Sequence, residues 1–155
     1  GKKNQKHTDM NYREVLNDLI EINNDRIEGY EKAAKQTDET DLKTLFTEMS
    51  TQSRQLVADL KTKVAAAGEE PAEGTTVRGK VYRTWMDLKA VFGGDDRKGI
   101  LSSCEYGEDA AQKAYKEALS DDDLPADIRS IVAEQKSALR KSHDKIKALR
   151  DAQPA

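Results

Sequence analysis

Residues 101–149 read LSSCEYGEDAAQKAYKEALSDDDLPADIRSIVAEQKSALRKSHDKIKAL, and this stretch decides the fold. Apolar positions recur at Leu101, Cys104, Ala111, Ala114/Tyr115 and Ala118/Leu119. Steps of three, four and seven put them on one face of a helix. The run Ser120-Asp121-Asp122-Asp123-Leu124-Pro125 interrupts the pattern, and Pro125 stands where a second helix would open. A proline there loses nothing, because the first N–H groups of a helix have no internal partner. That second helix carries Ile128, Ile131/Val132, Gln135, Ala138/Leu139, Ile146 and Leu149. The stretch is a helical hairpin.

Residues 16–60 repeat the plan. Tyr12, Val15/Leu16, Leu19, Ile22, Ile27, Tyr30 and Ala33/Ala34 form one stripe, which Thr37-Asp38-Glu39-Thr40 ends near Gln36. Leu42, Leu45/Phe46, Met49, Leu56, Leu60 and Val64 form the next, stopped by Ala67-Gly68. Glu28 to Ala34 lines up with Lys113 to Leu119, and Asp41 to Glu48 lines up with Asp127 to Glu134. The pairing of both helices is read as an internal repeat. Between the hairpins Val81, Trp85 and Leu88 continue from Val77 to Phe92 in steps of three and four, a short amphipathic helix closed by Gly93-Gly94-Asp95-Asp96. The expected organisation is a disordered tail over 1–10 and a single helical domain over 11–152. Its hairpins span 11–67 and 99–152, and a crossover spans 68–98. A crossover that long can return along the bundle, so the second hairpin need not follow a simple up-down-up-down order.

Composition narrows the function. The chain has 155 residues, 35% charged and 36% hydrophobic, with a formal charge of −3 and both signs interspersed. No basic stripe marks a nucleic-acid partner, and no apolar run approaches the ~18 residues of a membrane span. Cys104 is the only cysteine, which fits a reducing, cytoplasmic setting.

Each stripe is broken near its middle by polar groups: Asn23 and Arg26, then Gln52 and Ser53, then Glu108, then Gln135 with Ser142 beyond it. Four antiparallel helices bring their midpoints to one level, so these groups are expected to form a buried polar layer. A carboxylate buried alone costs several kcal/mol, and Arg26 is the expected partner of Glu108. Tyr30 and Tyr115 should bring their hydroxyls to the same layer.

The segments 16–21, 28–34, 83–90, 107–111 and 143–146 together resemble an uncharacterised bacterial family of ferritin-like four-helix bundles, a domain of unknown function. The resemblance implies an all-α, ferritin-like bundle with the short helix between helices 2 and 3. Di-iron members of the wider superfamily take one Glu from each of two helices and a Glu-x-x-His from each of the other two. Of that pattern, Glu108 keeps its place seven residues before Tyr115, but Asn23 stands seven before Tyr30. The second-helix slot reads Gln52-Ser53-Arg54-Gln55, and the fourth reads Ala138-Leu139-Arg140-Lys141. The resemblance therefore implies a degenerate di-iron site, with no catalytic residue and no cofactor expected. The expected function is that of a non-catalytic structural, stress-related or interaction protein, with self-association into a homo-oligomer open to it. The alternative is an iron-binding oxidase with an unconventional carboxylate site drawn from Glu28, Glu48, Glu108, Glu134 and His143. His143 otherwise reads as a structural histidine paired with Asp144 or a neighbouring helix. A third reading offers the crossover face around Trp85, Leu88 and Phe92 to a protein partner.

Overall fold

The computed structural model describes residues 2–68, 71–72, 79–91 and 96–154, and the side chains of all of these except 2–11 and 89–91. Among the described residues five helices follow one another: α1 Lys2–Gln36, α2 Thr40–Ala66, α3 Lys80–Val91, α4 Arg97–Leu119 and α5 Ala126–Asp151. Among the described residues there is no strand.

The α1–α2 break falls where Thr37-Asp38-Glu39 interrupts the stripe, and the Glu39 N–H donates to Thr37 Oγ1 at 3.2 Å. Gly68, at φ +80°, ends α2 in the left-handed conformation, and its N–H donates to the Ala65 carbonyl at 2.9 Å. A residue with a Cβ pays a steric penalty in that conformation, which is why glycine closes the helix. Asp96 caps α4 by accepting from the Gly99 N–H at 2.6 Å. Pro125 stands immediately ahead of α5.

One boundary differs from the sequence reading. Residues 2–10, expected as a loose tail, belong to α1. Polar content argues against burial, not against helix: the stretch lacks Pro and Gly, and extending an existing helix needs no new nucleus. At the crossover, α3 covers the middle of the expected helix, while Val77 and Phe92 lie outside the described residues.

Cross-links fix the helix directions. Asn23 bonds to Tyr115 and Arg26 to Glu108, so α1 and α4 are antiparallel. Tyr12 reaches the Lys63 carbonyl and Arg26 reaches Ser53, so α1 and α2 are antiparallel too. Gln112 bonds to the Lys136 carbonyl and Asp109 to His143, which opposes α4 and α5. Hence α2 and α4 run the same way, which the long crossover requires. α3 packs on α1 and α4 and bridges the hairpins along that seam, whereas α2 and α5 touch sparsely. Among the described residues no helix is long and apolar enough to cross a membrane.

The apolar core falls into two clusters on either side of the polar layer. One gathers Leu16, Leu19, Leu60, Val132 and Leu139; the other gathers Tyr30, Phe46, Trp85, Ile100, Leu101 and Ile146. Trp85 is 0% exposed, and its ring meets Tyr30 edge-on at 5.1 Å between centroids. The indole therefore anchors α3 and is itself closed to a partner; of the other two residues of the third reading, Leu88 is half-buried and Phe92 lies outside the described residues. The seat of the indole is made by two glycines. A Cβ on Gly29 of α1 would stand 2.6 Å from the ring, and one on Gly107 of α4 2.2 Å.

Candidate functional site

Arg26 and Glu108 meet at the centre of the bundle, 1% and 0% exposed. Arg26 Nη2 donates to Glu108 Oε2 at 2.7 Å, and Nε lies 3.2 Å from both carboxylate oxygens. Arg26 Nη1 donates to Ser53 Oγ at 2.6 Å and to the Met49 carbonyl at 3.2 Å. The Tyr30 hydroxyl donates to Glu108 Oε2 from the other side. Arg26 also lies over the Tyr30 ring, 5.1 Å from its centroid. Arg26 and Glu108 thus each have an opposite charge and directed hydrogen bonds, as a low-dielectric interior requires.

The network continues through neutral groups. Ser53 Oγ donates to Asn23 Oδ1 at 2.9 Å, and Asn23 Nδ2 donates to the Leu19 carbonyl and the Tyr115 hydroxyl, both at 2.8 Å. Tyr115 donates to Gln135 Oε1 at 2.6 Å, and Gln135 Nε2 to the Leu56 carbonyl at 3.3 Å. All four long helices contribute. The contacts cross between the hairpins: Tyr30 of the first meets Glu108 of the second, and Tyr115 of the second meets Asn23 of the first.

Of the five residues expected in the layer, the structure brings together Asn23, Arg26, Glu108 and Gln135. Gln52 stands apart, half-buried at the α2–α5 edge, accepting from Ser142 Oγ at 3.0 Å. Ser53, its neighbour, faces the core in its place. Consecutive helical residues point about 100° apart, so with Ser53 facing the core Gln52 is turned toward the α2–α5 edge.

Burial sets the protonation states. It opposes the charge on Arg26, but the Glu108 carboxylate more than offsets this and holds the guanidinium above its ordinary value. Burial, reinforced by Glu108, pushes the Tyr30 phenol well up, and burial raises Tyr115 as well. Both are neutral hydrogen-bond donors at physiological pH. Cys104, 0% exposed, has its thiol raised chiefly by burial, so the reactive thiolate is suppressed.

The alternative metal residues do not converge. Glu28, Glu48 and Glu134 are exposed on α1, α2 and α5. His143 sits on α5 with its two ring nitrogens held at 2.6 Å from Asp109 and 3.0 Å from Asp144. Its partner on the neighbouring helix, Asp109, lies on the solvent side of α4, and no sequence spacing singles it out. Among the described residues no three His, Cys, Asp or Glu side chains gather as metal ligands would.

A family model described as a domain of unknown function, DUF2383, matches residues 11–121. No curated protein matches the chain. Among solved structures the fold is similar to that of a Dps1 mutant from Mycobacterium smegmatis, at a TM-score of 0.79 and 14% identity. That match covers 93% of this chain and 97% of the other. At such identity the likeness is one of architecture, and the bundle is ferritin-like.

Proposed function

The chain belongs to the family described as the domain of unknown function DUF2383, a membership that carries no activity with it. We propose from the polar layer that it is a non-catalytic ferritin-like bundle with a degenerate di-iron site. The observation that carries this reading is the placement of Arg26. Its guanidinium is the cation that Glu108 is bonded to, and Tyr30 takes up a further position on the same carboxylate. Around it stand Ser53, Asn23, Tyr115 and Gln135, which are neutral hydrogen-bonding groups and poor substitutes for bridging carboxylates. An incoming divalent ion would meet a fixed positive charge and would have to displace it from a buried ion pair. The crosswise pairing of Tyr30 with Glu108 and of Tyr115 with Asn23 supports an ancestral duplication, in which the two hairpins once held equivalent groups.

A bundle without a reaction centre acts through its surfaces. The role we assign is structural or interactive, of the stress-related kind open to such bundles, and exercised as a homo-oligomer. The test is anaerobic loading with Fe(II), desalting and metal analysis by plasma mass spectrometry. The expected result is no iron retained above that of a helical control protein. Retention near the two ions of a dinuclear centre would overturn the reading in favour of the iron alternative. Its ligands would then have to come from Glu28, Glu48, Glu108, Glu134 and His143.

A further inference from the structure

α2 carries a face that a solvated helix does not call for. Thr44, Thr47, Thr51, Gln55, Ala58 and Thr62 form one continuous ridge on its outer side, and all six are exposed. In a chain with 35% charged residues, this ridge has none. Threonine is also among the weaker helix formers, so exposed helix positions gain nothing from it locally. The hydroxyls of Thr47 and Thr62 donate to their own helix, to the Lys43 carbonyl at 2.8 Å and the Ala58 carbonyl at 3.0 Å. Those two hydroxyls are thus spent within the helix, on a narrow ridge that carries no charge.

Charge says what covers it. Thr44, Thr47 and Thr51 keep the three–four spacing of core positions in a coiled coil, which makes Lys43 and Glu48 the flanking positions on opposite sides. Both are exposed, and neither has an ion-pair partner among the described residues. A second α2 running parallel places each Lys43 beside the other copy's Glu48, twice over by symmetry. An antiparallel α2 would set lysine against lysine and glutamate against glutamate. We infer that the outer ridge of α2 is the contact between two copies of this chain, packed parallel about a two-fold axis along the bundle, with reciprocal Lys43–Glu48 ion pairs. This rests on the reading that the bundle works through its surface, but iron retention would leave the dimer standing, so the two can fail separately.

Sedimentation velocity across micromolar to millimolar concentration tests it. The expected result is a monomer–dimer equilibrium that weakens at high salt, because the flanking pairs are solvent-exposed. Thr51→Lys should abolish the dimer while leaving the helical circular dichroism unchanged. Lys43→Glu should weaken association at least tenfold, and Lys43→Glu/Glu48→Lys should restore it. Spin labels at Thr62→Cys should lie close together in the parallel dimer, against roughly 30 Å or more in an antiparallel one. A chain that stays monomeric at millimolar concentration, or a dimer indifferent to Thr51→Lys, overturns the inference.

Discussion

Glu108 makes the sharpest case at the scale of single residues, because its carboxylate is the one negative charge matched to Arg26 inside the core. Glu108→Ala leaves a buried guanidinium without its counterion, and breaking a buried pair from one side typically costs about 3–5 kcal/mol. We expect urea unfolding to show a loss of that size. Arg26→Met/Glu108→Leu, which removes both charges, should recover much of it; an unchanged melting temperature in Glu108→Ala would remove the pair from the account of stability. His143 makes a second case. Burial pushes its imidazole down, but the hydrogen bonds its ring nitrogens donate to Asp144 and Asp109 more than offset this and hold it above its ordinary value. Arg140, which pairs with Asp144, opposes the charge weakly. A raised histidine value adds stability that is complete below the unfolded value of about 6.5 and is lost as pH rises through the folded one. Asp109→Asn should therefore lower the His143 midpoint in an NMR titration. The stability gap from wild type should be widest below about pH 6.5 and should close as pH rises. At this scale the sequence was legible where one polar residue interrupts an apolar face, as Glu108 does. It was ambiguous where two polar residues adjoin, as Gln52 and Ser53 do, because composition cannot say which of them faces inward.

Helix α3 shows what periodicity leaves unread at the scale of elements. Its stripe predicts a short helix anchored by a tryptophan, and the described residues contain that helix, but nothing in the pattern points to the seat. Gly29 and Gly107 fall inside helices, where glycine is unfavourable by about 1 kcal/mol relative to alanine. The reason for them is a close approach, visible only when α1, α3 and α4 are brought together: the indole fills the space their missing Cβ atoms leave. Gly107→Ala should consequently be destabilising, by about 1–3 kcal/mol from overpacking against Trp85, despite the gain in helix propensity. The sign should reverse when the ring is absent. In a Trp85→Ala background the same Gly107→Ala change should be neutral or stabilising, and thermal unfolding of the four variants closes the cycle. A penalty of equal size in both backgrounds would show that Trp85 is not what Gly107 makes room for.

The topology of the whole molecule was legible from one length, the crossover between the hairpins, because a connection long enough to return along the bundle lets α2 and α4 run in the same direction. What the length does not convey is how unequally the hairpins are joined. The α1–α4 seam is closed by direct packing, by the Arg26–Glu108 pair and by α3 lying over it, whereas α2 and α5 touch sparsely and are linked by polar groups such as Gln135 to the Leu56 carbonyl. Within that arrangement α3 is the least embedded element. It packs on α1 and α4 alone, and among its described side chains only Trp85 is fully buried. Elements with few buried contacts open below the global unfolding energy. Native-state hydrogen exchange should therefore show α3 amides exchanging through a sub-global opening, with weak dependence on urea, while the centres of α1 and α4 exchange only on global unfolding. Trp85→Ala should remove the remaining protection of α3 and leave that of α2 in place at the same relative stability. If α3 instead exchanges together with α1 and α4, the crossover helix is part of the cooperative core, and the polar layer beneath it can be reached only by unfolding the bundle as a whole.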